Sequence, residues 1–564
     1  MSTMLFVSPH WYAFEAPLGI PYICGYLKSR GKDVRQKDLN LECQDYFLSR
    51  KYLEECCREI KKKDIEYDYP AYVLDNIDIS KANTRNANVS IDVYIKSFDV
   101  LEKAYEIISK RWYPTKISFD NFTMPYNEKE SLCIKEAIDD SEHNPYIQFY
   151  EECVLNKIDE TTDIIAISIL GQQQLIPGIT LAAMIKRKHP KVKIVLGGTV
   201  FTILKKTIQK WKHLFDFFDF IILYEGEESM YQLISALENG ESIININNLV
   251  YRNENKELVI QENTQINTSI DLAIPCFEGL ELDKYFVPRK IIPFALTRQK
   301  CTWSRCAFCV HDISISNNFK LKQMDKIVEE IRYLINKYDT DLFDLLIENG
   351  LNEKVLEEFS RELLRKNVKI KWRAHFRLQR EIDFNLLKKS GCVALFCGVE
   401  SGSDQVLENM RKGTSVSGYE KCLKHIMEAG IWTRISLIIG FPNETLNDVL
   451  QTFKFLIKNK NNIGSFGAGR FMLYLDSGVF NNLEHYNVEV ITNESQDMAL
   501  WFEYSTTNNY DIEKIEKQLI SLTRQNYAES NFWRRIPGTV LFNFLTRYNS
   551  AQEAKSDFLK YKNI

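Results

Sequence analysis

Short apolar runs alternate with helical stripes in two separate parts of the chain, and few architectures accept that pattern. In the first part, Met4-Leu5-Phe6-Val7, the segment after Lys32, Ile164–Ile169, Lys191–Leu196 and Asp219–Leu223 read as strands. Ile23 and Leu27, then Ile179, Ala182 and Ile185, then Met230, Leu233, Ile234 and Leu237 mark the helices between them. Strands buried on both faces belong in a parallel sheet covered by helices, so a doubly wound α/β domain is expected here, with its ligand loops at the carboxyl ends of the strands. The pattern returns with strands at Ile291–Leu296, Phe343–Ile347, Lys369–Ala374, Val393–Cys397 and Thr433–Ile439. Helical stripes run through Ile327, Ile331 and Leu334 and through Val355, Leu356, Phe359 and Leu363. This second part predicts a partial (β/α) barrel whose strand ends carry the chemistry.

Between the two halves of the first pattern, residues 46–149 are charged and aromatic and read as a helical insertion. Residues 485–564 are expected to form a small helical cap, with a stripe at Ile512, Ile515, Leu519 and Ile520 and a final Phe558-Leu559-Lys560-Tyr561 packing against it. The 564 residues are 45% hydrophobic and 26% charged with a net charge of -4, which suits a multidomain globular protein and gives no electrostatic footprint for nucleic acid. No apolar run approaches bilayer length and the first residues lack a secretory pattern, so the expected location is cytoplasmic, away from membranes. The 13 cysteines show no regular spacing outside 301–309, which argues for a reducing compartment rather than a disulfide framework.

That cysteine cluster is Cys301-Thr-Trp-Ser-Arg-Cys306-Ala-Phe-Cys309, on the loop leaving a strand. Three thiolates so spaced can serve one inorganic centre, and three ligands on a cubane leave its fourth iron open. A ferredoxin would add a fourth cysteine shortly afterwards, but the next is Cys392. From spacing alone, a zinc site completed by His311 and a set of inert thiols are the alternatives.

Polar groups stand at the ends of the later strands: Glu348-Asn349-Gly350, His375-Phe376-Arg377, Gly398-Val399-Glu400-Ser401-Gly402-Ser403 and Gly440-Phe441-Pro442-Asn443-Glu444-Thr445. His375 and Cys397 read as packing groups. In the first part the corresponding loops are Gly171-Gln172-Gln173-Gln174, Gly197-Gly198-Thr199 and Glu225-Gly226-Glu227. Glycines admit a close backbone approach and amides serve a ligand's periphery, though each loop alone reads as a turn. His10, in the first loop, reads as a solvated loop histidine.

The pattern C-x-W-x-x-C-x-F-C resembles the cluster loop of radical S-adenosylmethionine (SAM) enzymes. Four residues separate Cys301 from Cys306 where three are commonest, and a tryptophan-containing loop of that spacing resembles a subgroup with an N-terminal cobalamin-binding domain. The G-V-E-S-G-S block with Val406, Leu407, Met410 and Lys412-Gly413, and the stretch I-I-G-F-P-N-E-T, extend the likeness. P-L-G-I near the start, G-G-T and Y-E-G-E-E resemble the cobalamin domain, although the D-x-H-x-x-G signature is absent.

The resemblance implies a Rossmann-like cobalamin-binding domain over 1–45 and 150–275, a partial (β/α)6 TIM-type barrel over 285–484, and the helical cap. It implies a [4Fe–4S] cluster on Cys301, Cys306 and Cys309. SAM would be held by Phe308, Glu348, Asn349, Arg377, Glu400, Ser401, Ile438 and Gly440. Of these, Glu348 meets the methionine ammonium, Arg377 and Glu400 the carboxylate or ribose, and Ile438, Gly440 and the Phe308 backbone the adenine. Cobalamin would be met by Ser168, Gln172, Gln173, Gly197, Gly198, Thr199, Glu225, Gly226 and Glu227. No side chain is required as a general base. The implied activity is C-methylation of an unactivated carbon in a peptide or natural product, through a 5'-deoxyadenosyl radical and methylcobalamin, with a flavodoxin or ferredoxin as electron donor. Rearrangement, cyclisation or sulfur insertion, and a non-catalytic corrinoid or iron–sulfur sensor, are the alternatives.

Overall fold

The computed structural model describes residues 1–62, 70–262, 273–297, 301, 303–313, 322–347, 353–378, 382–491, 495–508, 510–526, 537–558 and 560. The chain divides into two compact units: residues 1–288 with 313–318 and 493–500, and residues 289–312, 319–492 and 501–564.

The first unit is built on a seven-stranded sheet. Its order is Asp33–Asp38, Ser2–Val7, Thr162–Ser168, Lys193–Gly197, Phe220–Ile222, Leu249–Arg252 and Leu258–Ile260. The first five strands are parallel, as expected from their apolar runs; the last two add an antiparallel edge that the short, charge-flanked segments did not announce. The order of sequence reverses between Ser2–Val7 and Thr162–Ser168, so the loops after Val7 and Ser168 flank a topological switch point, where open α/β sheets take their ligands. Helices Gly19–Ser29, Leu175–Lys188 and Glu227–Asn239 connect the strands. The insertion is helical over Arg50–Lys62, Pro70–Thr84 and Ile91–Arg111, followed by a two-stranded hairpin, Lys116–Ile117 with Phe122–Thr123. Its interior is aromatic, and the polar tips are paired: the Trp112 indole donates to the Tyr52 hydroxyl at 2.8 Å.

The second unit holds six parallel strands in sequential order: Ile292–Thr297, Leu342–Ile347, Lys371–Phe376, Cys392–Glu400, Trp432–Ile439 and Ser465–Arg470. Helices Met324–Tyr338, Glu353–Arg365, Phe384–Lys389, Val416–Glu428 and Leu446–Lys458 lie between consecutive strands. Sequential parallel strands with a helix in each crossover are the wall of a partial TIM-type barrel, and the α/β class read from the sequence is borne out. After the barrel come three short antiparallel strands, Leu473–Tyr474, Val488–Ile491 and Trp501–Thr506, so the C-terminal region is not wholly helical. Helices Ile512–Asn526, Gly538–Leu545 and Ala551–Phe558 follow. Phe558 packs edge-on against Trp432, with ring centres 5.5 Å apart; Leu559 and Tyr561 lie outside the described residues. Among the described residues no helix is long and apolar enough to cross a membrane.

Candidate functional site

The cysteine loop is held on one turn of the barrel. Cys309 N–H closes a turn on the Cys306 carbonyl at 3.1 Å. Between them, Ala307 donates to the Met410 carbonyl at 2.8 Å and accepts from Val479 N–H at 2.8 Å. The Trp303 indole donates to the Arg411 carbonyl at 2.8 Å. Arg377 completes the set: its guanidinium lies 4.4 Å from the Trp303 ring centre and donates to the Lys412 carbonyl. Of three successive carbonyls, 410 and 411 therefore receive the loop and 412 receives the arginine stacked on it. Gly413, at φ +63°, ends that turn against the Trp303 ring, where a Cβ would stand 2.0 Å away, so only glycine serves there. Ala307 sits in a buried cluster with Val406, Met410, Phe441 and Val479, and Phe308 and Ile438 pack against it.

Charge is arranged around the same turn. Lys412 and Glu400 are 8% and 7% exposed, and the ammonium lies 2.9 Å from the carboxylate. Burial opposes the Lys412 charge, but Glu400 beside it prevails and its pKa is raised. Ser436 donates to the second Glu400 oxygen at 3.3 Å, and Glu400 itself has φ +65°, a strained turn-out at the end of its strand. Gly398 leaves room for the pair, since a Cβ there would meet the Glu400 carboxylate at 2.2 Å and the Lys412 ammonium at 2.9 Å. The ammonium is also 5.7 Å from the Phe308 ring centre. Burial pushes the Cys306 thiol up to about 11, Lys412 and Arg377 draw it down, and Cys309 and Cys301 push it up again, so the three sulfurs share one electrostatic environment.

Cys301, Cys306 and Cys309 form no disulfide. Among the described residues no three His, Cys, Asp or Glu side chains are gathered around a single point as one metal ion requires. A tetrahedral zinc would need that convergence, whereas a cubane spreads its ligands over separate irons. Three cysteines beside two cations, under an aromatic side chain, suit an anionic cluster.

The other expected SAM residues fall into distinct places. Gly440, at φ +81°, donates its N–H to Glu444 at 2.7 Å, and Tyr510 donates to the same carboxylate oxygen. Glu444 was not singled out in advance, although I-I-G-F-P-N-E-T contains it; burial lifts its pKa to about 7. Ser401 is buried, accepting from Ser403 N–H at 3.1 Å and meeting Thr452 at 3.3 Å, which makes it a support of the loop. Ile438 is half-buried on the barrel's inner face. Glu348 and Asn349 lie outside the described residues. Cys397 is buried, as a packing group should be, but His375 is not: it is exposed on the inner face, edge-on to Phe396 at 5.8 Å.

In the first unit the loops after Ser168 and Gly197 touch. Ile169 N–H donates to the Gly197 carbonyl at 2.8 Å, Thr199 donates to the Leu170 carbonyl at 2.9 Å, and Gly198, at φ +114°, lies so close that a Cβ would stand 2.1 Å from the Ile169 carbonyl oxygen. Gln174 pins the loop from inside, accepting from Leu170 and Gly171 N–H at 2.7 and 3.1 Å. Gln172 is buried, with its amide committed to the Glu128 and Met498 carbonyls at 2.8 and 3.1 Å and to Leu500 N–H at 3.0 Å. Gln173, Gly197 and Thr199 retain exposure; Glu225 and Gly226 are half-buried, and Glu227 is buried at the start of its helix. His10 is not solvated. It is fully buried, 3.2 Å from the Tyr146 hydroxyl, and burial holds its pKa down to about 4.

Residues 298–456 match the Radical SAM superfamily. The chain carries a radical SAM domain. Cys301, Cys306 and Cys309 fall inside the matched residues, as does the Met410–Gly413 turn, and the resemblance read from the cysteine loop is borne out. An uncharacterised methyltransferase of Pyrococcus horikoshii is 26% identical over 283 residues, which cover 50% of this chain and 61% of that one. An anaerobic magnesium-protoporphyrin IX monomethyl ester cyclase of Rubrivivax gelatinosus is 24% identical over 300 residues, 51% of this chain and 53% of that one. The alignments thus span little more than half the length of these relatives. Among solved structures, the cobalamin-dependent radical enzyme OxsB with aqua-cobalamin bound is similar with a TM-score of 0.59 at 14% identity, over 100% of this chain and 75% of that one. The radical SAM methyltransferase TsrM of Kitasatospora setae, with cobalamin and a [4Fe–4S] cluster, has a TM-score of 0.59 at 12% identity, over 100% and 99%. At those identities the likeness is one of fold.

Proposed function

We propose that the protein is a cobalamin-dependent radical SAM C-methyltransferase. The observation that carries the reading is the docking of a three-cysteine loop, through Ala307, Trp303 and Arg377, on the turn that also bears the buried Lys412–Glu400 pair. Cys301, Cys306 and Cys309 would hold the [4Fe–4S] cluster, and Gln173, Gly197, Gly198, Thr199 and Gly226 would line the cobalamin cleft. When bound, the cluster supplies an electron that cleaves SAM to a carbon radical, and cobalamin supplies a methyl group.

The chain's own residues supply position and dryness. Lys412 and Arg377 place two cations beside the cysteine loop and offset the negative charge of a thiolate-bound cluster. Glu400, fixed by Lys412 and Ser436, presents a carboxylate in one orientation at the end of its strand, suited to a ribose hydroxyl. Phe308, Ile438 and Phe441 form an apolar wall that excludes water from a reactive carbon radical. Since hydrogen abstraction is homolytic, no side chain has to carry a proton.

Anaerobically reconstituted protein given cobalamin, a strong reductant, SAM carrying a deuterated methyl group and candidate acceptors tests this. The labelled methyl is expected in the product. A product formed without the label would transfer support to rearrangement, cyclisation or sulfur insertion, and binding without any 5'-deoxyadenosine release would support a sensor.

A further inference from the structure

The barrel's inner face contains a charge that none of the described residues answers. Along Trp432–Ile439 the side chains alternate: Ile435, Leu437 and Ile439 are buried under the helices, while Arg434, Ser436 and Ile438 point the other way, into the barrel. Ser436 and His375 are exposed although both lie in interior strands of the sheet, so the inner face borders open space. Ser436 and Gly467, register partners on adjacent strands, are small, and a Cβ at Gly467 would meet nothing nearer than the Arg434 guanidinium at 4.0 Å.

Arg434 stands two residues below Ser436. It makes no hydrogen bond or ion pair among the described residues, and its Nη1 is sealed from solvent without an acceptor. Its flanking groups do not help. Phe396 lies 5.9 Å away under the guanidinium, and Arg373, on the other side of the same ring at 4.9 Å, is a second cation. The carboxylate of this level, Asp344, is bonded to Arg373, which also donates to the Thr539 hydroxyl at 3.0 Å. Helix Gly538–Leu545 closes the level from outside, with Gly538 against Phe396 and Phe542 against Arg373. Burial and Arg373 both disfavour the Arg434 charge. Arg434 is half-buried, but a sequestered cationic N–H without an acceptor is costly, and a protein retains one where a ligand completes it.

We infer that Arg434 anchors an oxyanion of the substrate, a carboxylate or a phosphate, at the base of the barrel interior, with His375 and Ser436 along its length. Ile438 lies four positions beyond Arg434, about 13 Å along the strand, so the substrate is an elongated acidic molecule whose anionic end lies remote from the carbon that reacts at the strand ends. A planar guanidinium that receives both oxygens of such a group fixes register as well as affinity. This rests on the radical SAM reading for what happens at the far end, but the anion site itself does not.

The test uses the full chain, cluster-reconstituted, with inorganic phosphate and acetate as separate probes against sodium chloride at matched ionic strength. Thermal unfolding and calorimetric titration are read for wild type, Arg434→Met, Arg434→Gln and Arg434→Lys. At least one probe is expected to raise the wild-type melting temperature saturably, with at least a tenfold loss of affinity in Arg434→Met and Arg434→Gln and partial retention in Arg434→Lys. Without probe, Arg434→Met should melt no lower than wild type, because it removes an unanswered charge. Which probe binds more tightly separates phosphate from carboxylate substrates. An equal shift in wild type and all variants, no shift with either probe, or a probe-free melting temperature lowered in all three variants would overturn the inference. Iron content and 5'-deoxyadenosine release, measured on the same samples, report separately on the radical SAM reading.

Discussion

Glu400 and Lys412, twelve residues apart, meet at 2.9 Å beneath the cysteine loop and are both buried. One ends a barrel strand and the other lies in the turn that docks the cysteine loop, so the ion pair ties that strand end to the dock.

Removing one partner leaves the other charged and buried. Lys412→Met and Glu400→Gln are each expected to lower unfolding free energy by about 3–5 kcal/mol, with the double variant recovering much of the loss. Urea unfolding of the four proteins measures the coupling; additive effects would show that the pair does not act as one.

The Gly413→Ala change forces a side chain into the Trp303 ring at a left-handed backbone position. Folded protein is expected with severalfold less iron after reconstitution, since the loop loses its seat. Trp303→Phe, which gives up the hydrogen bond to Arg411, worth about 1 kcal/mol, and part of the ring surface under Arg377 but adds no clash, should keep more of the iron than Gly413→Ala. Iron and sulfide assays on soluble protein check both.

Glu444 sets a pH dependence. Its folded pKa, about 7, lies above the ordinary carboxyl value, so the stability it contributes is full below the unfolded pKa and is lost as pH rises through 7. Glu444→Gln, which keeps an acceptor for Gly440 N–H, should flatten the fall in unfolding free energy between pH 5 and 8, by on the order of 3 kcal/mol at most. Denaturation at several pH values decides; parallel curves for the two proteins would contradict the assignment.

In the first unit, Gln172 and Gln173 are adjacent in sequence and opposite in role. Gln172→Ala strands two carbonyls and one N–H and should destabilise the protein by about 2–4 kcal/mol. Gln173→Ala should leave stability unchanged and weaken cobalamin binding. Thermal melts and visible titration with hydroxocobalamin distinguish the two.

The strands were legible because burial on both faces writes itself as continuous apolar runs, and the three cysteines because a loop needs close spacing to serve one centre. Ser465–Arg470 was missed since its Gly467 and Gly469 carry no hydrophobic signal, and Leu249–Arg252 and Leu258–Ile260 since they are too short to show a period. The dock at Met410–Gly413 uses backbone carbonyls, which any sequence supplies. His10 misled because a polar residue in a loop suggests solvent, whereas Tyr146, more than a hundred residues distant, stands against it; the partners of Gln172, expected to meet cobalamin, were illegible because Leu500 is as remote in sequence. Arg434 sat unnoticed inside an apolar strand because only the folded sheet shows that it has no counter-ion among the described residues.

The central claim is that the loop of Cys301, Cys306 and Cys309 supports reductive cleavage of SAM. Quantifying 5'-deoxyadenosine from anaerobically reconstituted, dithionite-reduced protein and from its Cys306→Ala variant tests it directly. Release by the wild type and none by the variant is the expected result; no release from cluster-replete wild type, or equal release from both, would contradict it.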